Sequence, residues 1–449
     1  MNQESLNPLA AELNAVLSET IAGRLMSPLG KRLYFPKGII AQSAEAKKSA
    51  HFANATIGMA YNNGKPMILS AITESMPTLS ADQAVAYAPT AGVEQVRQEW
   101  KKLILNKNTS LKPDNISLPV VVSGLTSGLS LLAEIFLAEG QNLITSDPCW
   151  DNYSLIFKER RNANLLEIPF YGNIRDTAFN ECASIECAFD GLDIERISKE
   201  AEKEAEKGQL RVLLNFPNNP SGYSPTKAEA EALAALFLKI AEKGTDILVL
   251  CDDAYFGLFY EDNIYEQSIF SLLADLHPNI LAIKIDGPIK EDFVWGLRTG
   301  FISFGSKGLE EKHYTALVTK LMGAIRSSIS CANTPAQHII IKALEDKRSR
   351  DEKNNFQDIL KKRYKKVKQF LAENPNHPKL KAFPFNSGYF MSFSCKDVSA
   401  EKLRQTLLNE HGIGVIALGE TCLRVAFSSL DEENINHVYK TIFETALKV

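Results

Sequence analysis

At 449 residues the chain is too long for one small core, and 45% hydrophobic against 23% charged residues marks a folded globular protein, not a disordered one. A net charge of −4 argues against nucleic acid or an anionic membrane as the main partner, because either calls for a clustered basic surface. Glu4, Glu12 and Glu19 break up the N-terminal stretch and no apolar run reaches the roughly 18 residues of a membrane span, so no signal peptide or membrane segment is expected, and a cytoplasmic location is.

The seven cysteines contain no CxxC pair and read as reduced thiols, with Cys182 and Cys187 structural. The seven histidines are dispersed without HxxxH or HExxH spacing, so no metal site is expected.

In chain order, Leu13, Val16, Leu17 and Ile21 set a helical pattern, and the Pro- and Gly-punctuated segments 27–30 and 35–38 read as an arm leading into the body. The turn-rich run 54–66, which contains Gly58, reads equally as a ligand-facing loop or a plain hairpin. Tyr87 precedes a helix predicted over 93–105. The β-branched run 118–122 predicts a short buried strand, and Ser123-Gly124-Leu125-Thr126-Ser127-Gly128 opens an apolar helix over 129–137. Strand, glycine turn and helix N-terminus together favour an anion, with hydroxyls from Thr126 and Ser127, although many α/β proteins use such a turn for packing alone.

A strand over 142–145 leads to Trp150, which either stacks on a planar ligand or closes the core edge. The 194–208 stretch, alternating Lys and Glu, is a solvated helix face. A strand over 212–215 then ends in a loop stiffened by Pro217 and Pro220, where the Asn219 amide can serve a ligand, and Thr226 with Glu229 caps the next helix. The strand over 247–251 ends in Asp252-Asp253-Ala254-Tyr255. Carboxylates at that place are costly to bury unless paired, which points to a cationic ligand atom.

A strand over 280–283 leads to Lys290, and another over 299–304 follows Arg298. A lysine beyond the carboxyl end of a strand is a candidate covalent anchor, with a solvated loop lysine as the common alternative. The alternation of strands and helices from 118 to 304 predicts a mainly parallel sheet flanked by helices. The stretch 325–330 reads as strand-like, 333–337 precedes a long helix, and Phe356, Leu360, Tyr364, Val367 and Phe370 mark one face of a linking helix. Short strands at 388–393 and 423–427 alternate with helices. The expected division is an N-terminal arm with part of a small domain (1–65), a large domain (66–335) and a smaller α+β domain (336–449).

Taken in order, Tyr87, Gly124-Leu125-Thr126-Ser127, Trp150, Asn219-Pro-Ser-Gly222, Asp252-x-Ala-Tyr255, Lys290 with Arg298, and Arg424 resemble the class I/II aminotransferases, fold type I enzymes of the aspartate aminotransferase superfamily. The NPxG, DxAY and Lys-x7-Arg-x-Gly elements carry the resemblance, which runs from about Asn54 to Phe427. It implies pyridoxal 5'-phosphate as cofactor, a homodimer with shared sites, and an amino acid and a 2-oxo acid as substrates. Lys290 would form the Schiff base and move the α-proton, and Asp252 would keep the ring nitrogen protonated. Asn219 and Tyr255 would bond the ring oxygen, and Trp150 would stack on the ring. Leu125, Thr126, Ser127, Arg298 and the partner subunit's Tyr87 would hold the phosphate. Arg424 would grip the substrate carboxylate in bidentate fashion, with Gly58, Trp150 and Asn219 alongside.

Two positions depart from the family pattern. Gly287 stands where many relatives carry a phosphate-binding serine, and Ser328 where relatives acting on dicarboxylates carry a second arginine. Arg326 lies two residues away, which in a strand keeps the same face. Neutral or aromatic amino acids are favoured over aspartate. Lys284, inside the strand run, is the weaker alternative anchor. Lyase or synthase chemistry on the same fold and a cofactor-binding regulator are the rival functions.

Overall fold

The computed structural model describes residues 6–17, 39–56, 58–172 and 191–449. The punctuated segments at 27–30 and 35–38, Ile21, and the Cys182 and Cys187 pair lie outside them.

The central sheet has seven strands: β1 Val120–Val122, β2 Asn142–Asp147, β3 Asn164–Pro169, β4 Gln209–Asn215, β5 Asp246–Asp252, β6 Ile280–Asp286 and β7 Gly300–Gly305. Their order across the sheet is β1-β7-β6-β5-β4-β2-β3. β2 to β6 pair in parallel, whereas β7 runs antiparallel to both β1 and β6. Register aligns the carboxyl ends: Asn215 lies opposite Asp252, and Asp252 opposite Ile285. That alignment gathers the ends of β4, β5 and β6 at one edge.

Side chains alternate across the pleat, so each strand feeds two cores. Val121, Val212, Leu214 and Val249 pack on one face with Trp100 and Phe237. Val120, Val122, Leu213, Leu250 and Ile283 pack on the other with Leu129 and Leu132. Both faces are covered, as a parallel sheet requires. The covering helices include α1 Glu94–Lys107, α2 Leu125–Phe136, α3 Ile194–Ala205 and α4 Lys227–Glu242. Thr226 and Glu229 close the expected capping box at the start of α4.

Beyond β7 come α5 Glu311–Ser328, α6 Thr334–Glu345 and the 27-residue α7 Lys347–Glu373. A second sheet follows, built from β8 Leu380–Ala382, β9 Met391–Cys395, β10 Ile416–Leu418 and β11 Cys422–Val425 in the antiparallel order β8-β9-β11-β10. α8 Ala400–His411 and α9 Ile435–Lys448 pack on it. Its core takes in Ala53, Ala55 and Met67 from the N-terminal part of the chain and Leu360, Tyr364 and Val367 from α7. Ala53–Asn54 pairs in parallel with Ile413–Gly414. Tyr61–Asn62 and Lys65–Pro66 form a hairpin whose turn residues, Asn63 and Gly64, have φ of 49° and 69°.

One element differs in kind from expectation. Residues 325–328 of the stretch read as strand-like form the last turn of α5, which buries Leu321 and Ile325 at helical spacing, and Ile329 and Ser330 lie just past its end. Two residues along a helix turn the side chain by about 200°. Arg326 and Ser328 therefore do not share a face, and the argument that one replaces the other falls. Among the described residues, no helix is long and apolar enough to cross a membrane.

Candidate active site

The aligned strand ends open onto a cavity of about 300 Å³. Asn215 closes β4 and braces two sequence-predicted residues at once. Its Nδ2 donates to the Asp252 carbonyl at 2.8 Å, and its Oδ1 accepts the Asn219 N–H at 2.8 Å, folding the loop back over the sheet. Asp252 is 3% exposed. Burial pushes its carboxyl up to about 7, opposed mainly by the Tyr153 hydroxyl, which donates to Oδ2 at 2.6 Å. Oδ1 has no well-formed hydrogen bond. A buried carboxylate with one oxygen open is a seat for a cation.

Lys290 stands on the one-turn helix Pro288–Glu291 just past β6. Its Nζ donates to the Gly58 carbonyl at 3.0 Å and lies 5.2 Å from the centre of the Tyr255 ring. A Cβ on Gly58 would sit 3.5 Å from that nitrogen, so the missing side chain keeps the space in front of it open. Burial, reinforced by the charges of Arg298 and Arg424, brings the Lys290 ammonium down to about 7, with Asp252 opposing. Such an amine is available as nucleophile and base at neutral pH. Lys284 is the opposite case. It is fully buried in β6 between Asp253 and Asp286, which overcome its burial and hold it up at about 12. A locked, charged lysine facing away from the cavity is no anchor.

The third wall comes from the antiparallel return of β7, whose Gly300 pairs with Val122. This brings Arg298, itself at φ 51°, against the turn that opens α2. A Cβ on Gly124 would come 2.7 Å from the Arg298 guanidinium, and the φ of +82° there also favours glycine. Leu125, Thr126 and Arg298 line the cavity together. Helix N–H groups beside a guanidinium suit a phosphate. Ser127 is half-buried in the same turn but is not on the cavity wall. A serine has no room at position 287: its Cβ would approach the Thr299 carbonyl oxygen to 2.8 Å and the Leu125 side chain to 3.2 Å.

Arg424, on β11, closes the far side and is 2% exposed. Its Nη1 donates to Asn219 Oδ1 at 3.0 Å and its Nη2 to the Thr56 carbonyl at 3.2 Å, while Nε has no partner. The Phe390 ring lies 4.2 Å from its Cζ. Trp150 lines the cavity edge-on to Tyr153, and Tyr255 is buried beside Phe390. Tyr87 is 92% exposed and lies off this chain's own cavity, as does Arg326 on the exposed side of α5.

Tyr153, Asn215, Ala254, Ile289 and Phe390 also line the cavity and were not expected there. Tyr153 stands three residues after Trp150 in the same stretch, and Asn215 ends β4 just as Asp252 ends β5, so both had a positional signal. Phe390 sits in an apolar run and had none. The cation seat at Asp252, the low-pKa amine, the anion seat at Arg298 and the buried Arg424 surround one cavity. Their chemistry fits a phosphorylated pyridine aldehyde meeting an amino acid.

Comparison with known proteins agrees. The chain is 24% identical over 374 residues to an aspartate aminotransferase of Sulfurisphaera tokodaii, covering 80% of this chain and 82% of that protein. An aminotransferase structure from Anaerococcus prevotii superposes with a TM-score of 0.78 at 21% identity, covering 92% of this chain and 97% of the other. A Pyrococcus horikoshii kynurenine aminotransferase superposes with a TM-score of 0.76 at 16% identity, over 95% and 98% of the two chains. The description "Aminotransferase class I and II" matches residues 56–442, and the chain therefore belongs to that family of pyridoxal phosphate-dependent enzymes.

Proposed function

We propose that the protein moves the amino group of an L-amino acid to a 2-oxo acid such as 2-oxoglutarate, with Lys290 as the residue that anchors the cofactor. The observation that carries this reading is the Lys290 amine, brought down to about 7, in one cavity with the open oxygen of Asp252 and with Arg424. Bound there, pyridoxal phosphate supplies an aldehyde and an electron-accepting ring. Asp252 would hold the proton on the ring nitrogen, with the Tyr153 hydroxyl steadying the carboxylate. Asn219 and Tyr255 would bond the ring oxygen, and Leu125, Thr126 and Arg298 would take the phosphate, with Ser127 one residue further along the same turn. Lys290 Nζ would carry the substrate's α-proton, accepting it as base and giving it up as acid. Arg424 grips the α-carboxylate, and Trp150 and Phe390 keep water out.

Neutral and aromatic donors are favoured, and aspartate is accepted less well. Among the described residues, Lys290, Arg298 and Arg424 are the cations on the cavity wall, each with a role already, and Arg326 is not on that wall. Relatives named for aspartate and for kynurenine bracket that range. The working unit is a cytoplasmic homodimer in which the partner subunit's Tyr87 completes the phosphate site. The large domain, 66–335, and the smaller one, 336–449, which part of the 1–65 segment joins, flank the cavity.

The test is a panel of amino donors with 2-oxoglutarate. Wild-type chain should convert donor and acceptor in step, and Lys290→Ala should lose both turnover and any borohydride-reducible, lysine-linked chromophore. Release of pyruvate and ammonia without need of an oxo acid would favour the lyase reading instead. A reducible adduct surviving in Lys290→Ala would place the anchor elsewhere.

A further inference from the structure

The peptide that carries Lys290 is held from three sides by residues that do not line the cavity. Its carbonyl accepts the Tyr389 hydroxyl at 2.7 Å, and Tyr389 is fully buried. The next side chain, Glu291, is 7% exposed and points into the protein. It forms ion pairs with Lys107 at the end of α1 and with Lys353 on α7, the latter at 2.8 Å. Lys353 also reaches Asp292 at 2.8 Å. Gly257, with φ +90°, leaves the space that the Glu291 carboxylate fills, since a Cβ there would collide with it. Burial pushes the Glu291 carboxyl up, but Lys107 and Lys353 outweigh it and bring the group down to about 2, so the cluster stays charged at working pH.

Stability alone does not account for such a cluster. Replacing buried ion pairs by apolar groups of similar shape is often neutral or stabilising. Placement accounts for it better. α1 packs on the central sheet through Val96, Trp100 and Ile104, whereas the C-terminal half of α7 packs in the second core through Leu360, Tyr364 and Val367. The first half of α7 also engages the chain near Ser70, whose N–H donates to Glu352 at 2.7 Å. α7 thus joins the core around β8 to β11 to the turn beneath the amine.

We propose that Glu291, held between Lys107 and Lys353, is a positioning residue for Lys290: it fixes the one-turn helix on which the lysine stands and makes the aim of Nζ depend on where α7 lies. The inference rests on the reading of Lys290 as the cofactor anchor. Glu291→Gln keeps the shape and removes the charge, Lys353→Met removes one cation, and Lys353→Arg keeps it.

A small misplacement of the reacting amine is costly, so kcat in Glu291→Gln and Lys353→Met should fall on the order of 10- to 100-fold with KM unchanged. Lys353→Arg should recover most of it. Independently of turnover, the cofactor-free chain should recombine with pyridoxal 5'-phosphate more slowly in the first two variants, at a near-normal rate in the third. Unchanged kcat and recombination rate beside a lowered melting temperature would show a purely structural pair and overturn the proposal. Should Glu291→Gln not fold, Lys353→Met, which leaves the Lys107 pair in place, decides the matter alone. A wild-type chain that forms no lysine-linked chromophore would defeat the functional reading itself, which is a separate result from unaltered variants of a chain that does form one.

Discussion

Lys284 and Lys290 are the same side chain on one short stretch, yet their surroundings drive them apart. Lys284 is fully buried and Lys290 partly so, and burial alone lowers a lysine's proton affinity. Lys284 faces two carboxylates and stays charged, whereas Lys290 faces Arg298 and Arg424 and drops to about 7. A pH prediction follows for the cofactor-free chain. Between about pH 7 and the ordinary lysine value of 10.5, the unfolded chain holds a proton on this residue that the folded chain has released. The penalty that Lys290 imposes on folding is therefore full below pH 7 and relieved as pH rises through that window. The rate of Lys290 modification by an amine-directed reagent, mapped by mass spectrometry, should accordingly rise with a midpoint near 7. A midpoint near 10.5 would mean that the lysine is solvated and ordinary.

Among the elements, the antiparallel β7 has the largest consequence for the site. Entering between β1 and β6, it brings Arg298 to the α2 N-terminus and draws its own backbone close to Gly287. The departure from the family's serine at 287 is thus a packing necessity in this chain, because the Thr299 carbonyl and Leu125 occupy the space. Gly287→Ser should destabilise the protein by about 1–3 kcal/mol, the usual cost of overpacking, without tightening the cofactor. Thermal melting and a cofactor titration would check this. Unchanged melting with tighter binding would show that the glycine is a loss and not a fit. Helix α5 teaches the converse lesson, since its apolar residues, read over a short window, passed for a strand.

For the molecule as a whole, Tyr87 and Val85 are 92% and 84% exposed, far from the burial usual for such side chains. In the proposed homodimer they are covered, and each site borrows the other chain's tyrosine. Tyr87→Ala should weaken the cofactor in a homodimer, and Lys290→Ala should be inactive. Mixing the two chains should restore activity, because the hybrid contains one site with both residues intact. If the mixture is no more active than its components while sedimentation shows dimers, the site is not shared.

Much of this arrangement was legible in the chain itself. Buried β-branched runs ending in Asn215, Asp252 and the turn to Lys290 announce a parallel sheet with chemistry at its carboxyl edge, because local pattern sets strands, turns and caps. Lys290, Asp252, Asn219, Arg298 and Arg424 all stand on or beside the cavity they were expected to share. What the chain could not disclose depends on long-range approach. The Tyr153 hydroxyl on Asp252, Phe390 against Arg424, and the Glu291 cluster beneath the anchor join residues far apart in sequence, with no periodicity to link them. The amino-acid order by itself determined the fold type and named the candidate residues that share the cavity, since these follow from short-range spacing. Only the tertiary structure decided which lysine lies on the cavity and which is locked between carboxylates, because proton affinity depends on the charges that folding brings within reach.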